Sequence, residues 1–210
     1  MKIEHKVFPH SIHLLTFDNQ HDLASTFLRF QEYYESPEFA GKVFSLDEYK
    51  KWYVNESLRS SKNGEFTYYE DWNGFNIPSK ILKPFYEGKF DPLSELEQRL
   101  LDIYKNEKEP FYIIGLHKAN DRFSISLEHE VAHGLFFINQ DYREKVLSIL
   151  KQYDTSELRK AILKTGGYHE NVLDDEVHAY AISGSRTINA PVSGKMKKEL
   201  IDLFKKTSLL

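Results

Sequence analysis

The first seventeen residues are rich in β-branched and aromatic side chains and are broken by Pro9, a pattern that predicts one or two short strands. From residue 21 the apolar spacing changes. Leu23, Phe27, Leu28 and Phe30 share a broad helical stripe, which predicts a helix over 21–35 that Pro37 stops. Ser45-Leu46-Asp47-Glu48 is a capping box that should start a helix reaching residue 55. Lys62-Asn63-Gly64 reads as a turn, 65–69 as a strand, and 72–78 as a loop with aromatic anchors. Helices are expected over 79–86 and 92–104, the second with Asp91 as its cap and Pro92 at its first position.

The second half has a cleaner pattern. A continuous apolar run over 110–117 reads as a strand, and 118–122 as a polar connection. A strongly apolar helix follows over 126–138. Two amphipathic helices come next, over 142–153 and 156–164, the latter ended by Gly166-Gly167. A helix over 171–183 is broken by Ser183-Gly184-Ser185. Ser193 should cap a last helix reaching residue 206, where Lys195, Lys197, Lys198, Lys205 and Lys206 make a solvated face. There is no internal repeat. These elements predict an α+β fold, mainly helical, with a small mixed sheet. The chain reads as a single domain, 1–210, with an N-terminal α/β lobe over 1–107 and a helical lobe over 108–210.

Composition narrows the chemistry. The 210 residues are 40% apolar, 14% aromatic and 29% charged, an ordinary globular balance. The net charge of −4 gives no reason to expect a nucleic-acid partner. Without cysteine, disulfides and thiolate metal sites are excluded, so any metal site must use His, Asp and Glu. The N-terminal apolar stretch is too short for a signal-peptide core, and no segment approaches the roughly 20 apolar residues of a membrane span. The expectation is a cytoplasmic protein, or one exported by a route that reads no such signal.

His129-Glu130-Val131-Ala132-His133 lies within the apolar helix. The two histidines are four apart, so both imidazoles project from one face and can reach one ion. Glu130 points to the flank of that ion, where a general base belongs. Leu127, Val131, Ala132, Leu135, Phe136, Phe137 and Ile138 cover most of the circumference, so the helix should be buried. Three buried titratable groups are costly unless something satisfies them, and a metal does. Read without a metal, the two histidines are satisfied core residues. Gly134 allows another backbone to approach closely.

A catalytic zinc takes three protein ligands and leaves one position open. The run after His133 contains no histidine, which excludes the extended metzincin pattern. The third ligand must come from elsewhere, and Leu173-Asp174-Asp175-Glu176-Val177-His178-Ala179-Tyr180 is the best segment. Glu176 sits on an otherwise apolar stripe with Leu173, Val177 and Tyr180, which makes it the leading candidate. His178 and Asp175 are the alternatives. Asp174 and Asp175 are also explained as acids favoured by a helix N-terminus.

His129-Glu130-x-x-His133, followed on a later helix by Glu176-x-x-Ala179-Tyr180, resembles the gluzincin branch of zinc metallopeptidases. The resemblance covers residues 111–183. It implies a zincin-like fold with His129, His133 and Glu176 holding Zn2+, Glu130 activating water, and the strand over 110–117 lying at a sheet edge beside the site. There are two departures. Thermolysin-like members carry an Asp four residues after the ligand Glu, where this chain has Tyr180, so support for a ligand histidine must come from elsewhere. The step from His133 to Glu176, 43 residues, is also longer than in the thermolysin type.

The expected activity is hydrolysis of an amide bond in a protein or peptide, with Glu130 moving a proton from water to the leaving amine. An oxyanion donor should come from Tyr168, His169, His178 or Tyr180, with His169 as first choice. Phe66, Tyr68, Tyr69, Trp72 and Phe75 either line a substrate cleft or pack as core. His117 ends the strand before the site and could approach it. His5, His10, His13 and His21 fit no ligand template and read as incidental. Two other readings compete: a zincin-like binding or regulatory protein without strong activity, and a non-haem iron oxygenase using the same ligands.

Overall fold

The computed structural model describes residues 2–56, 64–165, 170–184, 188 and 190–208. β1 (Ile3–Phe8) and β2 (Ile12–Phe17) are joined by a tight turn over Pro9–Ser11. α1 (Gln20–Glu35) opens on Asn19, whose side chain accepts from the Asp22 N–H at 2.8 Å. α2 (Leu46–Glu56) starts at the expected capping box: the Ser45 hydroxyl accepts from the Glu48 N–H and the Glu48 carboxylate from the Ser45 N–H.

The next stretch departs from expectation. Residues 65–69 form no strand; Tyr68–Asp71 is a one-turn helix, α3. Tyr68 packs edge-on against Tyr49 and Tyr53 of α2 instead of joining a ladder. The expected loop contains a strand, β3 (Gly74–Pro78). Phe75 and Ile77 are buried in a period-2 pattern, but the Gly, Asn and Pro between and around them are loop-forming types that hide it. A 3-10 turn (Ser79–Leu82) leads into α4 (Lys83–Tyr86). α5 (Glu95–Tyr104) starts later than expected, capped by Ser94 with Glu97 and not by Asp91. The Ser-x-x-Glu box satisfies two helix donors reciprocally, which one aspartate cannot.

β4 (Tyr112–His117) is followed by α6 (Phe123–Ile138), α7 (Gln140–Leu150), α8 (Ser156–Leu163), α9 (Leu173–Ser183) and α10 (Gly194–Ser208). The turn residues expected at 62–63, 166–167 and 185 lie outside the described residues.

The strands form one mixed sheet in the order β1-β2-β4-β3. β2 and β4 are parallel, and the outer pairs are antiparallel. The fold is therefore α+β. β4 is interior, so the strand before α6 is not the edge; the edge on that side is β3. The physical sign is that all six β4 residues are buried, as a strand covered on both faces requires.

Alternation along the strands divides the core in two. Ile12, Leu14, Tyr112, Ile114 and Leu116 pack against α6 to α10. Leu15, Phe17, Phe75, Ile77 and Ile113 pack against α1, α2 and α5. Helices before residue 108 thus cover one face and helices after it the other, while β4 sits between β2 and β3 of the first segment. Gly134 lets α6 lie close on the sheet: a Cβ there would meet Ile12 Cδ1 at 3.0 Å and Tyr112 Cδ1 at 3.1 Å. The approach is to strand side chains rather than to another backbone. No helix among the described residues is long and apolar enough to cross a membrane.

Candidate metal centre

α6 is fixed at both ends before any ligand is considered. The Asn120 side chain accepts from the Arg122 N–H at 2.9 Å and donates to Ser126 Oγ at 3.0 Å. At the other end Arg143 donates to the carbonyls of Phe136 and Phe137, which the helix leaves unpaired. α9 packs along α6 and stops at Gly184, whose φ of 74° is a backbone conformation that glycine adopts without strain.

This pairing brings His129, His133 and Glu176 together, with one ligand atom of each within 4.8 Å of the others. The facing argument for Glu176 agrees with this placement. The two Nε2 atoms are 3.2 Å apart, and His133 Nε2 is 3.6 Å from Glu176 Oε1. Tetrahedral ligands at zinc distances stand about 3.3–3.4 Å from one another, so the spacing suits such an ion.

The remaining ring nitrogens are already committed. His133 Nδ1 lies 2.9 Å from Asp175 Oδ2. His129 Nδ1 lies 3.1 Å from Ser183 Oγ, and Ser183 in turn donates to the Ala179 carbonyl at 3.0 Å. Both contacts place the proton on Nδ1 and leave Nε2 to face the cluster. Glu176 is 4% exposed, and its Oε2 is buried with no hydrogen-bond partner. Two convergent imidazole nitrogens beside an orphaned carboxylate oxygen are a donor set that a divalent cation satisfies.

The electrostatics agree. Burial opposes charge on His133, but Asp175 and Glu176 outweigh it and hold its pKa well above the ordinary value. Burial and the neighbouring His133 push His129 down to about 3. Burial raises Glu176 well above the carboxylate range and raises Glu130. Asp175 is held low because His133 overcomes the cost of burying it. Without an ion, a proton on His133 bridges to His129.

Glu130 is 7% exposed and accepts from Asn76 Nδ2 at 2.5 Å. Asn76 is oriented in turn: Tyr112 donates to its Oδ1, and its own N–H donates to Gln31 Oε1 at 3.1 Å. The edge strand thus aims the carboxylate. Gly74, two residues earlier, leaves room for it, since a Cβ there would stand 2.8 Å from Glu130 Oε1.

Other expected residues fall elsewhere. His178 is fully buried behind the cluster, with Nε2 2.7 Å from the Tyr142 hydroxyl and Nδ1 3.5 Å from Asp175 Oδ1, so it supports Asp175 and does not reach the ligand atoms. Asp175 is a partner of His133 and supplies the support that the Tyr180 position lacks. Tyr180 instead lays its ring against His129, with centroids 4.7 Å apart. His117 is on the opposite sheet face from Tyr112 and Leu116, 3.0 Å from Asn73 Oδ1. Tyr168 and His169 lie outside the described residues.

A cleft of about 420 Å³ opens over the cluster, bordered by His129, Glu130, His133, Glu176 and Tyr180 on one side and by α1, α2, α3 and β3 on the other. Tyr68, Trp72 and Phe75 line it, and Tyr68 and Phe75 are also core residues, so both readings of the aromatic segment apply. Comparison of the chain with known protein families, with curated proteins and with solved structures finds no match.

Proposed function

We propose that this chain is a zinc-dependent metallohydrolase of zincin type, a peptidase that hydrolyses an amide bond. The observation that carries the reading is the buried donor set: two Nε2 atoms and an orphaned Glu176 oxygen converging beside Glu130 at the floor of a cleft. His129, His133 and Glu176 would hold the ion, which supplies Lewis acidity and a nucleophilic water at neutral pH.

The rest of the chemistry belongs to the chain. Glu130, aimed by Asn76 and made more basic by burial, takes the proton from the attacking water and passes it to the leaving amine. Asp175 and Ser183 keep both histidines in the tautomer that presents Nε2. Among the described residues, Tyr180 borders both the cleft and His129, and we assign it the oxyanion-donor role. An edge strand along the cleft suits an extended peptide substrate.

The test is cleavage of a mixed peptide library by zinc-loaded protein, read by mass spectrometry, beside Glu130→Gln. Glu130→Gln should keep its zinc and lose cleavage by about a hundredfold or more. Equal cleavage in both proteins would reject Glu130 as the base, and none by the zinc-loaded wild type would reject hydrolysis in favour of a binding role.

A further inference from the structure

β3 is an edge of the sheet, and the cleft runs along its start, past Trp72, Asn73, Gly74 and Asn76. In an antiparallel ladder, residues that bond to the neighbouring strand alternate with residues that turn both backbone groups away from it. The Ser79 N–H donates to the Phe111 carbonyl at 2.9 Å, so the odd-numbered residues of β3 are the ones that bond to β4. Gly74, Asn76 and Pro78 therefore face the open side. The Asn76 N–H agrees, because it donates away from the sheet to Gln31 Oε1 of α1 at 3.1 Å. Such an edge is what an extended peptide would join.

α1 closes that edge on both sides of Gly74. Gln31 is 8% exposed, and its amide is held at both ends: Nε2 donates to Glu35 at 2.5 Å while Oε1 takes the Asn76 N–H. That oxygen stands where a substrate carbonyl would have to stand. The next outward residue, Pro78, has no N–H to offer. Gln20 does the converse ahead of the strand, where its Nε2 donates to the Trp72 carbonyl at 2.8 Å and to the Glu70 carbonyl at 2.9 Å. The two glutamines are 31 − 20 = 11 residues apart, about three helical turns, so both leave α1 from one face. Between these caps Gly74 keeps its outward N–H and C=O. It also lies against Glu130, since a Cβ there would stand 2.8 Å from Oε1.

We propose that Gln20 and Gln31 restrict backbone pairing of a peptide substrate to Gly74, so that β3 holds the peptide at one residue, beside Glu130. On either side of that residue the peptide ends or turns away from the strand. The fitting substrate is a short peptide or a chain end, and a longer extended segment gains nothing from β3. This rests on reading the cluster as the centre of a peptidase.

The experiment is isothermal titration of zinc-loaded protein with two series of peptide hydroxamates. Acetyl-oligoalanyl-leucine hydroxamates lengthen the ligand on the amino side of the metal-binding group, and succinyl-hydroxamate oligoalanine amides lengthen it on the carboxyl side. In the wild type, the four-residue ligand of each series should bind within about threefold of the two-residue ligand. Gln31→Ala and Gln20→Ala each uncover a backbone group, and each should make that length dependence at least about threefold steeper in one series; if one variant does not fold, the other decides. Gln31→Glu keeps an oxygen for the Asn76 N–H and should stay as flat as the wild type. A wild-type gain above threefold with length, no steepening in the alanine variants, a Gln31→Glu profile as steep as that of Gln31→Ala, or binding of none would overturn the proposal. Zinc content measured on the same samples separates the outcomes. Ligands that bind but gain with length reject the caps alone, while zinc-loaded protein that binds no ligand rejects the peptidase reading as well.

Discussion

Replacing Asp175 with asparagine removes the charge behind His133 while keeping the shape of the side chain. Asp175 Oδ2 stands 2.9 Å from His133 Nδ1, and the aspartate is held ionised by that histidine. Loss of such a partner should weaken zinc binding by about 10–100-fold, or about 1.4–2.7 kcal/mol. The pH dependence sharpens the prediction. In the metal-free wild type, His133 has its pKa raised well above 6.5 by Asp175 and Glu176 against the cost of burial, so zinc must displace a proton. Asp175→Asn removes the first of those charges, and the proton then competes less. The wild type's advantage should therefore be smallest at pH 6.5 and grow toward pH 8, where proton competition fades. The assay is competition with a colorimetric chelator at both pH values, with proton release counted calorimetrically in buffers of different ionisation enthalpy. Wild type should release more protons per zinc at pH 7 than Asp175→Asn. Affinities within twofold at both pH values, or a gap that narrows as pH rises, would refute this reasoning.

Arg29 and Glu97 form a buried pair, with Arg29 Nε and Nη2 each 2.6 Å from a carboxylate oxygen and Nη1 donating to the Phe90 carbonyl. Glu97→Ala strands a buried guanidinium and should cost about 3–5 kcal/mol in urea unfolding; a loss under about 1 kcal/mol would show the pair to be dispensable. Gly74→Ala should push Glu130 aside, because the added Cβ meets its Oε1 at 2.8 Å. Peptide cleavage should fall about ten- to a hundredfold with zinc retained, and full activity would separate Glu130's position from catalysis. His13 is 2% exposed, and burial first, then the charge of His5, lowers its pKa below 6.5. Its contribution is complete above pH 6.5 and is lost as pH falls through the folded value, because the unfolded chain then binds more protons. The urea midpoint should drop between pH 7.5 and 5.5, less so in His13→Gln; an equal drop in both would assign the pH dependence to other groups.

What was legible in the chain follows from local pattern. The helix carrying His129 and His133, the capping box at Ser45 and the facing of Glu176 all depend on spacing within one element, and the structure places them accordingly. The groups that aim them are not local. Asn76 reaches Glu130 across 54 positions and Ser183 reaches His129 across 54, so no periodicity announces either. β3 hides behind loop-forming residues, and its edge position depends on β4 being interior. His5 and His13 carry no ligand spacing. Hairpin register, with Val7 opposite His13, nonetheless brings their ring nitrogens to 2.9 Å. Asp175 is a plain helix N-terminal acid in sequence, and only the packing of α9 on α6 makes it the partner of His133.

The central claim is that His129, His133 and Glu176 hold one zinc ion. Elemental analysis of protein purified without a histidine tag, beside His133→Ala and Glu176→Ala, tests it most directly. The account predicts about one zinc per wild-type chain and loss of that zinc in both variants, with the fold retained by circular dichroism. No metal in the wild type even after zinc is supplied, or full zinc retention in Glu176→Ala, would contradict it.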